Sequence, residues 1–327
     1  MTVASLVEVA MAEVSAHARE AAVAMTIEPT DATLGALVRG VRLAAMTDAE
    51  WNAIHAAFLD RGVLVFPGQF LTDAEQMDFG RRFGELMIES QPFSNERADG
   101  SLRGKDDPVM QLFRGNESWH TDSSFQPVSA KASILSARKV PATGGETEWA
   151  DMRAAYEALD DGMRHRVASL CAHHSLYYSQ QRIGAAGDVT AKGLAELHGA
   201  AGPGSAAGED DGGASMPGYR QEQVVPLRPL VKVHPETGRP ALYIGRHAHD
   251  IPGLSEEESR LLLEELVEFG CQPPRVYGHH WQVGDVVIWD NRRVLHRARP
   301  WPPSEARAMH HTRVAGDPAT ETALNVH

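Results

Sequence analysis

A mainly β fold with flanking helices, arranged as a sandwich or barrel, is predicted from three observations. From about residue 109 onward, short apolar or alternating runs such as KASILSARKV, RPALYIG and DVVIWDN are separated by Pro and Gly turns, as in stacked or rolled strands. Two segments with helical spacing, DMRAAYEALDDGMRHRVASL and SEEESRLLLEELVEFG, interrupt those runs. Upstream of residue 109, helix-like and strand-like stretches alternate, so the N-terminal part should pack helices against a sheet.

Taken in order, residues 1–26 read as an N-terminal extension. They are Ala-rich and carry Glu8, Glu13 and Glu20, which an export signal would exclude. TLGALVRGVRLAAM suggests short strands or turns. TDAEWNAIHAAFLDRG opens with a Thr/Asp cap and keeps apolar residues at helical spacing, VLVFPGQ is a short buried strand, and TDAEQMDFGRRFG repeats the Thr-capped helix. The main domain should run over 27–317, with a tail at 318–327. A Gly/Ala-rich insertion at about 183–222 is too poor in apolar residues to offset its ordering entropy, and reads equally as an inert insertion or a lid over a pocket.

Composition narrows the function. In 327 residues, 31 Lys+Arg against 44 Asp+Glu give a net charge of -13, which argues against nucleic-acid and anionic-membrane partners and for a small-molecule substrate. Cys171 and Cys271 are the only cysteines and form no CxxC, so neither a disulfide framework nor a thiolate zinc site is expected. No apolar run approaches the roughly 20 residues of a membrane span. A cytoplasmic protein, and a homo-oligomer, are expected.

Chemistry enters at SWHTDSSF, where His120 and Asp122 stand two apart. On an extended strand they would share a face and offer an imidazole and a carboxylate to one metal. A third ligand must come from a distant strand, and His296 in GDVVIWDNRRVLHRARPW is the best candidate, in a cationic neighbourhood formed by Arg293, Arg297 and Arg299. Two imidazoles and a carboxylate with open positions suit non-heme iron(II) oxygenases; a zinc hydrolase can use the same set, although its helical HExxH signature is absent.

SWHTDSSFQPVSAKASILSARKVPATGGETEWADMRAAYEAL, followed much later by WQVGDVVIWDNRRVLHRARPW, resembles the TauD/TfdA family of iron(II)- and 2-oxoglutarate-dependent dioxygenases, and within it the 2,4-dichlorophenoxyacetate dioxygenase branch. The motif set is HxD, then GGET with Thr147 placed 25 residues after the aspartate, then the distal histidine with an arginine 11 further on. The resemblance implies a double-stranded β-helix, that is, a cupin-like jelly roll. It implies Fe(II) on His120, Asp122 and His296, and 2-oxoglutarate with its far carboxylate on Thr147 and Arg307. It further implies an O2-dependent hydroxylation of a C–H bond, with release of succinate and CO2, on a carboxylate-bearing, aryloxyalkanoate-like substrate. A metal-dependent hydrolase and a non-catalytic small-molecule binder are the alternatives, and neither requires the Thr147 and Arg307 pair.

The substrate end departs from the family. Fifteen residues after the distal histidine, where relatives place a substrate-binding arginine, this chain has His311; Arg313 would share its strand face and is the substitute. Asn116, four before His120, falls on a pocket-lining position of the family. Glu89 falls near its substrate-binding histidine.

Overall fold

Two strands, Val63–Phe66 and, as far as its closing Asp290, Val286–Asp290, are apolar without alternation because both of their faces are covered. They pair antiparallel, with Val286 opposite Phe66 and Trp289 opposite Val63. Alternate side chains therefore go opposite ways. Val63, Val65, Val287 and Trp289 join Trp149, Trp281 and Met309 in one apolar cluster. Leu64, Phe66, Val286 and Ile288 meet Ile54, Phe58 and Phe79 from the helices Asp48–Arg61 and Asp73–Arg81 on the other side.

The computed structural model describes residues 24–185, 190, 192–193, 196 and 224–326. Its large sheet runs in the order Thr26–Pro29, Ala36–Arg39, Val63–Phe66, Val286–Asp290, Ala130–Lys139, Ala308–Ala315 and Leu86–Ser94. A three-stranded sheet, Val276–His279, Thr147–Asp151 and Val294–Ala298, contributes Trp149, Tyr277 and Val294 to the apolar cluster shared with the large sheet. Its outer side is closed by the helix Glu256–Gly270, whose Leu262 and Leu266 pack with Ala150 and Leu295. This two-layer arrangement is a jelly roll, mainly β with helices on its flanks, as the sequence indicated.

Three helix starts follow directly from sequence. Thr47 with Glu50, Thr72 with Glu75 and Ser255 with Glu258 each form a reciprocal capping box, worth about 1 kcal/mol per cap. One expectation fails: DMRAAYEALDDGMRHRVASL is not one helix. Asp160 accepts from Met163 N at 2.8 Å and starts a second helix, so the segment divides into Met152–Ala158 and Asp161–Val167.

The N-terminal extension, apart from its last residues, and most of the 183–222 insertion lie outside the described residues. Within the tail, residues 318–326 are described, and Glu321 is buried there and accepts from Ser129 Oγ at 2.9 Å, with Lys232 paired to the same carboxylate. Among the described residues no helix is long and apolar enough to cross a membrane.

Candidate metal and co-substrate site

His120 and His296 are bridged backbone to backbone. His120 N donates to His296 O at 3.0 Å, and His296 N to His120 O at 2.7 Å. His296 lies mid-strand in Val294–Ala298, opposite Trp149, rather than at a strand start. His120 makes only this isolated bridge, and a turn follows it, with Ser123 at φ 57. The HxD pair thus converges through a turn and not through strand alternation, which corrects the expectation from spacing.

Asn291 holds that turn. Its Oδ1 accepts from Trp289 Nε1 at 3.0 Å and from Asp122 N at 3.4 Å, and its own carbonyl accepts from Thr121 Oγ1 at 2.7 Å. Its Nδ2 donates to Ser133 Oγ at 2.9 Å, and Ser133 Oγ donates to Asp122 Oδ2 at 2.7 Å. The sequence identified the HxD but neither of these supports, because Ser133 and Asn291 are distant in the chain and chemically ordinary.

The donor set suits a divalent transition metal. Ligand atoms of His120, Asp122 and His296 all lie within 4.8 Å of one another, and all three residues are buried. His120 Nε2 is 4.0 Å from Asp122 Oδ1, and His296 Nε2 is 3.8 Å from Asp122 Oδ2. His120 Nδ1 is satisfied at 2.8 Å by the Ser118 carbonyl, which can only accept, so the proton sits there and Nε2 is bare. Burial lowers the His120 imidazole to about 4, and burial together with neighbouring His120 holds His296 well below its ordinary value. Neutral imidazoles are the form that binds metal. Burial opposes ionisation of Asp122, but Arg313, His296 and His311 outweigh it and hold the carboxyl well below its ordinary value.

Thr147 and Arg307 line the same cavity as the three candidate ligands. Both are buried. Trp281 Nε1 donates to Thr147 Oγ1 at 3.0 Å. Arg307 Nε donates to the Gly145 carbonyl at 3.1 Å and its guanidinium lies 5.2 Å from the Trp301 ring centre, leaving the remaining donors for a ligand. Burial lowers Arg307 to about 10, so it stays cationic. The double glycine of GGET builds this end. Gly144 and Gly145 have φ +74 and +72; a Cβ on the first would strike the Pro300 carbonyl, and one on the second would sit 2.9 Å from Pro141 Cγ.

Two of the three arginines read around His296 are consumed elsewhere: Arg293 pairs with buried Asp151 at 3.1 Å and Arg297 with Glu148 at 2.6 Å. Neither these two nor Arg299 lines the cavity.

Among the residues nominated for substrate, Asn116, His311 and Arg313 line the cavity. Arg313 Nη2 lies 2.9 Å from Asp122 Oδ1 and its Nη1 donates to Ser123 Oγ at 2.9 Å; His311 Nε2 lies 3.7 Å from Asp122 Oδ2. Burial, then Arg313, keeps His311 below its ordinary value. Glu89 is corrected: it is exposed and outside the cavity, which Ile88, Gln91 and Phe93 line instead, because pairing shifts between His311 and Arg313 interrupt the alternation of the Leu86–Ser94 strand. Sequence reading missed Arg246 and the apolar wall of Phe93, Leu112, Phe125 and Leu176.

A jelly roll whose cavity carries two imidazoles, a carboxylate and a buried threonine–arginine pair defines a class, the iron(II)- and 2-oxoglutarate-dependent dioxygenases. The family described as "Taurine catabolism dioxygenase TauD, TfdA family" matches residues 26–314. The chain is 50% identical over 308 residues to an (S)-phenoxypropionate/alpha-ketoglutarate-dioxygenase of Sphingobium herbicidovorans, covering 92% of this chain and 98% of that one. It is 35% identical over 280 residues to an alpha-ketoglutarate-dependent 2,4-dichlorophenoxyacetate dioxygenase of Cupriavidus pinatubonensis, covering 81% and 88%. Among solved structures, the crystal structure of AAD-2 in complex with Mn(II) and N-oxalylglycine superposes with a TM-score of 0.78 at 36% identity, over 92% of this chain and 99% of that one. The chain belongs to the TauD/TfdA family. It is a dioxygenase that uses Fe(II), 2-oxoglutarate and O2 to hydroxylate a C–H bond of a small organic substrate, and not a metal-dependent hydrolase.

Proposed function

We propose that this dioxygenase acts on aryloxyalkanoates of the 2-phenoxypropionate type, with iron held by His120, Asp122 and His296. The observation that carries this reading is one cavity in which the three candidate ligands, the Thr147 and Arg307 pair and an apolar wall of phenylalanines and leucines meet. Similarity to the Sphingobium phenoxypropionate enzyme over nearly the whole chain supports the substrate class.

The protein's own contributions are positional and electrostatic. Ser133 and Asn291 hold Asp122 in place. Arg307 and Thr147 fix the far carboxylate of 2-oxoglutarate by parallel charge-assisted bonds and one hydroxyl. Phe93, stacked on Phe113 with ring centres 5.2 Å apart, and Phe125 receive an aryl ring and exclude water from it. When bound, ferrous iron with 2-oxoglutarate and O2 supplies the oxidising chemistry, releasing succinate and CO2. Hydroxylation of the carbon that bears the ether oxygen gives a hemiketal, which separates into phenol and pyruvate.

The test is aerobic incubation with ferrous iron, 2-oxoglutarate and each enantiomer of 2-phenoxypropionate. Phenol and succinate should appear in equal amounts with at least one enantiomer. Succinate release without phenol from either would remove the aryloxyalkanoate reading while leaving the dioxygenase class intact.

A further inference from the structure

The hydroxyl of Thr147 lines the cavity, but its role there is set from outside it. Trp281 Nε1 donates to Thr147 Oγ1 at 3.0 Å, and both side chains are buried. An indole nitrogen carries one proton and accepts nothing, so this bond has a single direction. Threonine keeps one proton to give. With its oxygen engaged by the indole, and with no acceptor for that proton among the described residues, the hydroxyl is left to donate into the cavity. Arg307, bonded to the carbonyl of Gly145 two residues before Thr147, has guanidinium donors to spare, so this end of the cavity offers donors.

The indole is itself held in place. His279 stands opposite Thr147 in the ladder between Val276–His279 and Thr147–Asp151, so the chain leaves that strand beside the threonine, and Trp281 follows two residues later. The rings of His279 and Trp281 meet edge to face with centres 4.8 Å apart. Behind His279 lies Asp285. Burial opposes its charge, but bonds from His279 Nε2 at 3.0 Å, Gln282 N at 2.9 Å and Gly68 N at 3.1 Å outweigh burial and hold the carboxyl below its ordinary value. Trp281, His279 and Asp285 all stand outside the cavity lining.

We propose that Trp281 is a positioning residue for 2-oxoglutarate, aiming the Thr147 hydroxyl proton at the far carboxylate of the co-substrate. The inference rests on the reading that Thr147 and Arg307 hold that carboxylate, and deepens it. A carboxylate only accepts, and a hydroxyl already set as a donor loses no rotational freedom when the ligand arrives. Without the indole, the same oxygen is buried with no partner and the hydroxyl turns to find one. Trp281 also packs with Trp149 and Val287 in the apolar cluster between the sheets. Loss of that packing alone would loosen the site whether or not the threonine hydroxyl were present.

The test is a double-variant cycle read by binding, without turnover. Protein loaded with Mn(II) is titrated calorimetrically with N-oxalylglycine for wild type, Trp281→Phe, Thr147→Val and the double variant, and Mn(II) affinity is measured separately on each. Thr147→Val should weaken N-oxalylglycine about 10-fold or more, the loss of one hydrogen bond to a charged group. Trp281→Phe should weaken it about 3- to 10-fold, the cost of ordering a hydroxyl that is no longer pre-set. In the double variant the loss should match that of Thr147→Val within about twofold, because a hydroxyl that is absent cannot be misdirected. Losses that add in the double variant, or Trp281→Phe affinity within about twofold of wild type, overturn Trp281 as a positioning residue and leave the Thr147 and Arg307 reading standing. Mn(II) affinity that falls in Trp281→Phe as far as N-oxalylglycine affinity does overturns it too, because packing then accounts for the loss. Undiminished affinity in Thr147→Val removes the threonine contact itself and this proposal with it. Should Trp281→Phe fail to fold, Trp281→Met, which also lacks a donor, takes its place in the cycle.

Discussion

Replacing Asn291 by alanine tests whether the metal site is held from behind. The side chain is buried and joins Trp289 Nε1, Asp122 N and Ser133 Oγ, the last of which donates to Asp122 Oδ2. Alanine leaves the Trp289 indole N–H buried without an acceptor and frees the turn at Asp122. One stranded donor at about 1 to 3 kcal/mol, plus a net hydrogen bond near 1 kcal/mol, gives a stability loss of about 2 to 4 kcal/mol. Loss of an outer partner to a ligating carboxylate should weaken metal binding about 10- to 100-fold. Thermal denaturation of the metal-free protein reads the first quantity, and Mn(II) titration followed by electron paramagnetic resonance reads the second. Ser133→Ala should share part of the effect, and the double variant should fall short of the sum because both act on one carboxylate. Metal affinity within about twofold of wild type in Asn291→Ala would refute the reasoning, since such a loss is smaller than outer-partner changes produce.

Other expectations follow from the same geometry. Arg307→Gln should raise the apparent KM for 2-oxoglutarate about 30-fold or more, with partial recovery in Arg307→Lys, and unchanged saturation would assign the anchor elsewhere. Gly144→Ala places a Cβ against the Pro300 carbonyl at φ +74; strain of about 1 to 3 kcal/mol should lower the melting temperature and weaken 2-oxoglutarate saturation together. For Asp290, burial opposes the charge, but Arg292 at 2.7 Å and His234 at 2.9 Å outweigh it and hold the carboxyl far below its ordinary value. A depressed carboxyl stabilises above its unfolded value of about 3.9 and loses that contribution as pH falls below it, so Asp290→Asn should lower stability near pH ~7 and flatten its decline below pH ~4. Melting curves from pH ~7 to ~3 that stay parallel to wild type would contradict that assignment.

What was legible in the sequence was whatever is carried by local chemistry. The capping boxes at Thr47, Thr72 and Ser255 announce their helices, and VLVF and VVIW announce strands covered on both faces. His120, Asp122 and His296 could be nominated because metal ligands belong to a short menu of residue types, and these three do come together. Residues whose importance lies in what they meet escaped notice. Asn291 carries no motif, yet it fixes the HxD turn through Asp122 N and Thr121 Oγ1. Arg293 and Arg297 read as a cationic neighbourhood for His296, yet each has a carboxylate partner on the adjoining strand. Glu89 was placed by resemblance to the family, and the slip in the pairing of its strand with Ala308–Ala315 leaves no mark in the residues themselves. Arg246 carried no motif, and only its place on the cavity wall, with no ion pair among the described residues, distinguishes it.

The reciprocal backbone bridge between His120 and His296 separates the spacing of the two imidazoles from the length of chain that joins them. Whatever lies between, the two Cα positions are set by a pair of amide hydrogen bonds and not by the path the polypeptide takes to return. The connecting chain can be lengthened, shortened or recomposed to suit a new substrate, and the imidazoles will still meet at the same separation. One short register thus leaves the walls of the cavity free to diverge while the centre of the enzyme keeps its dimensions.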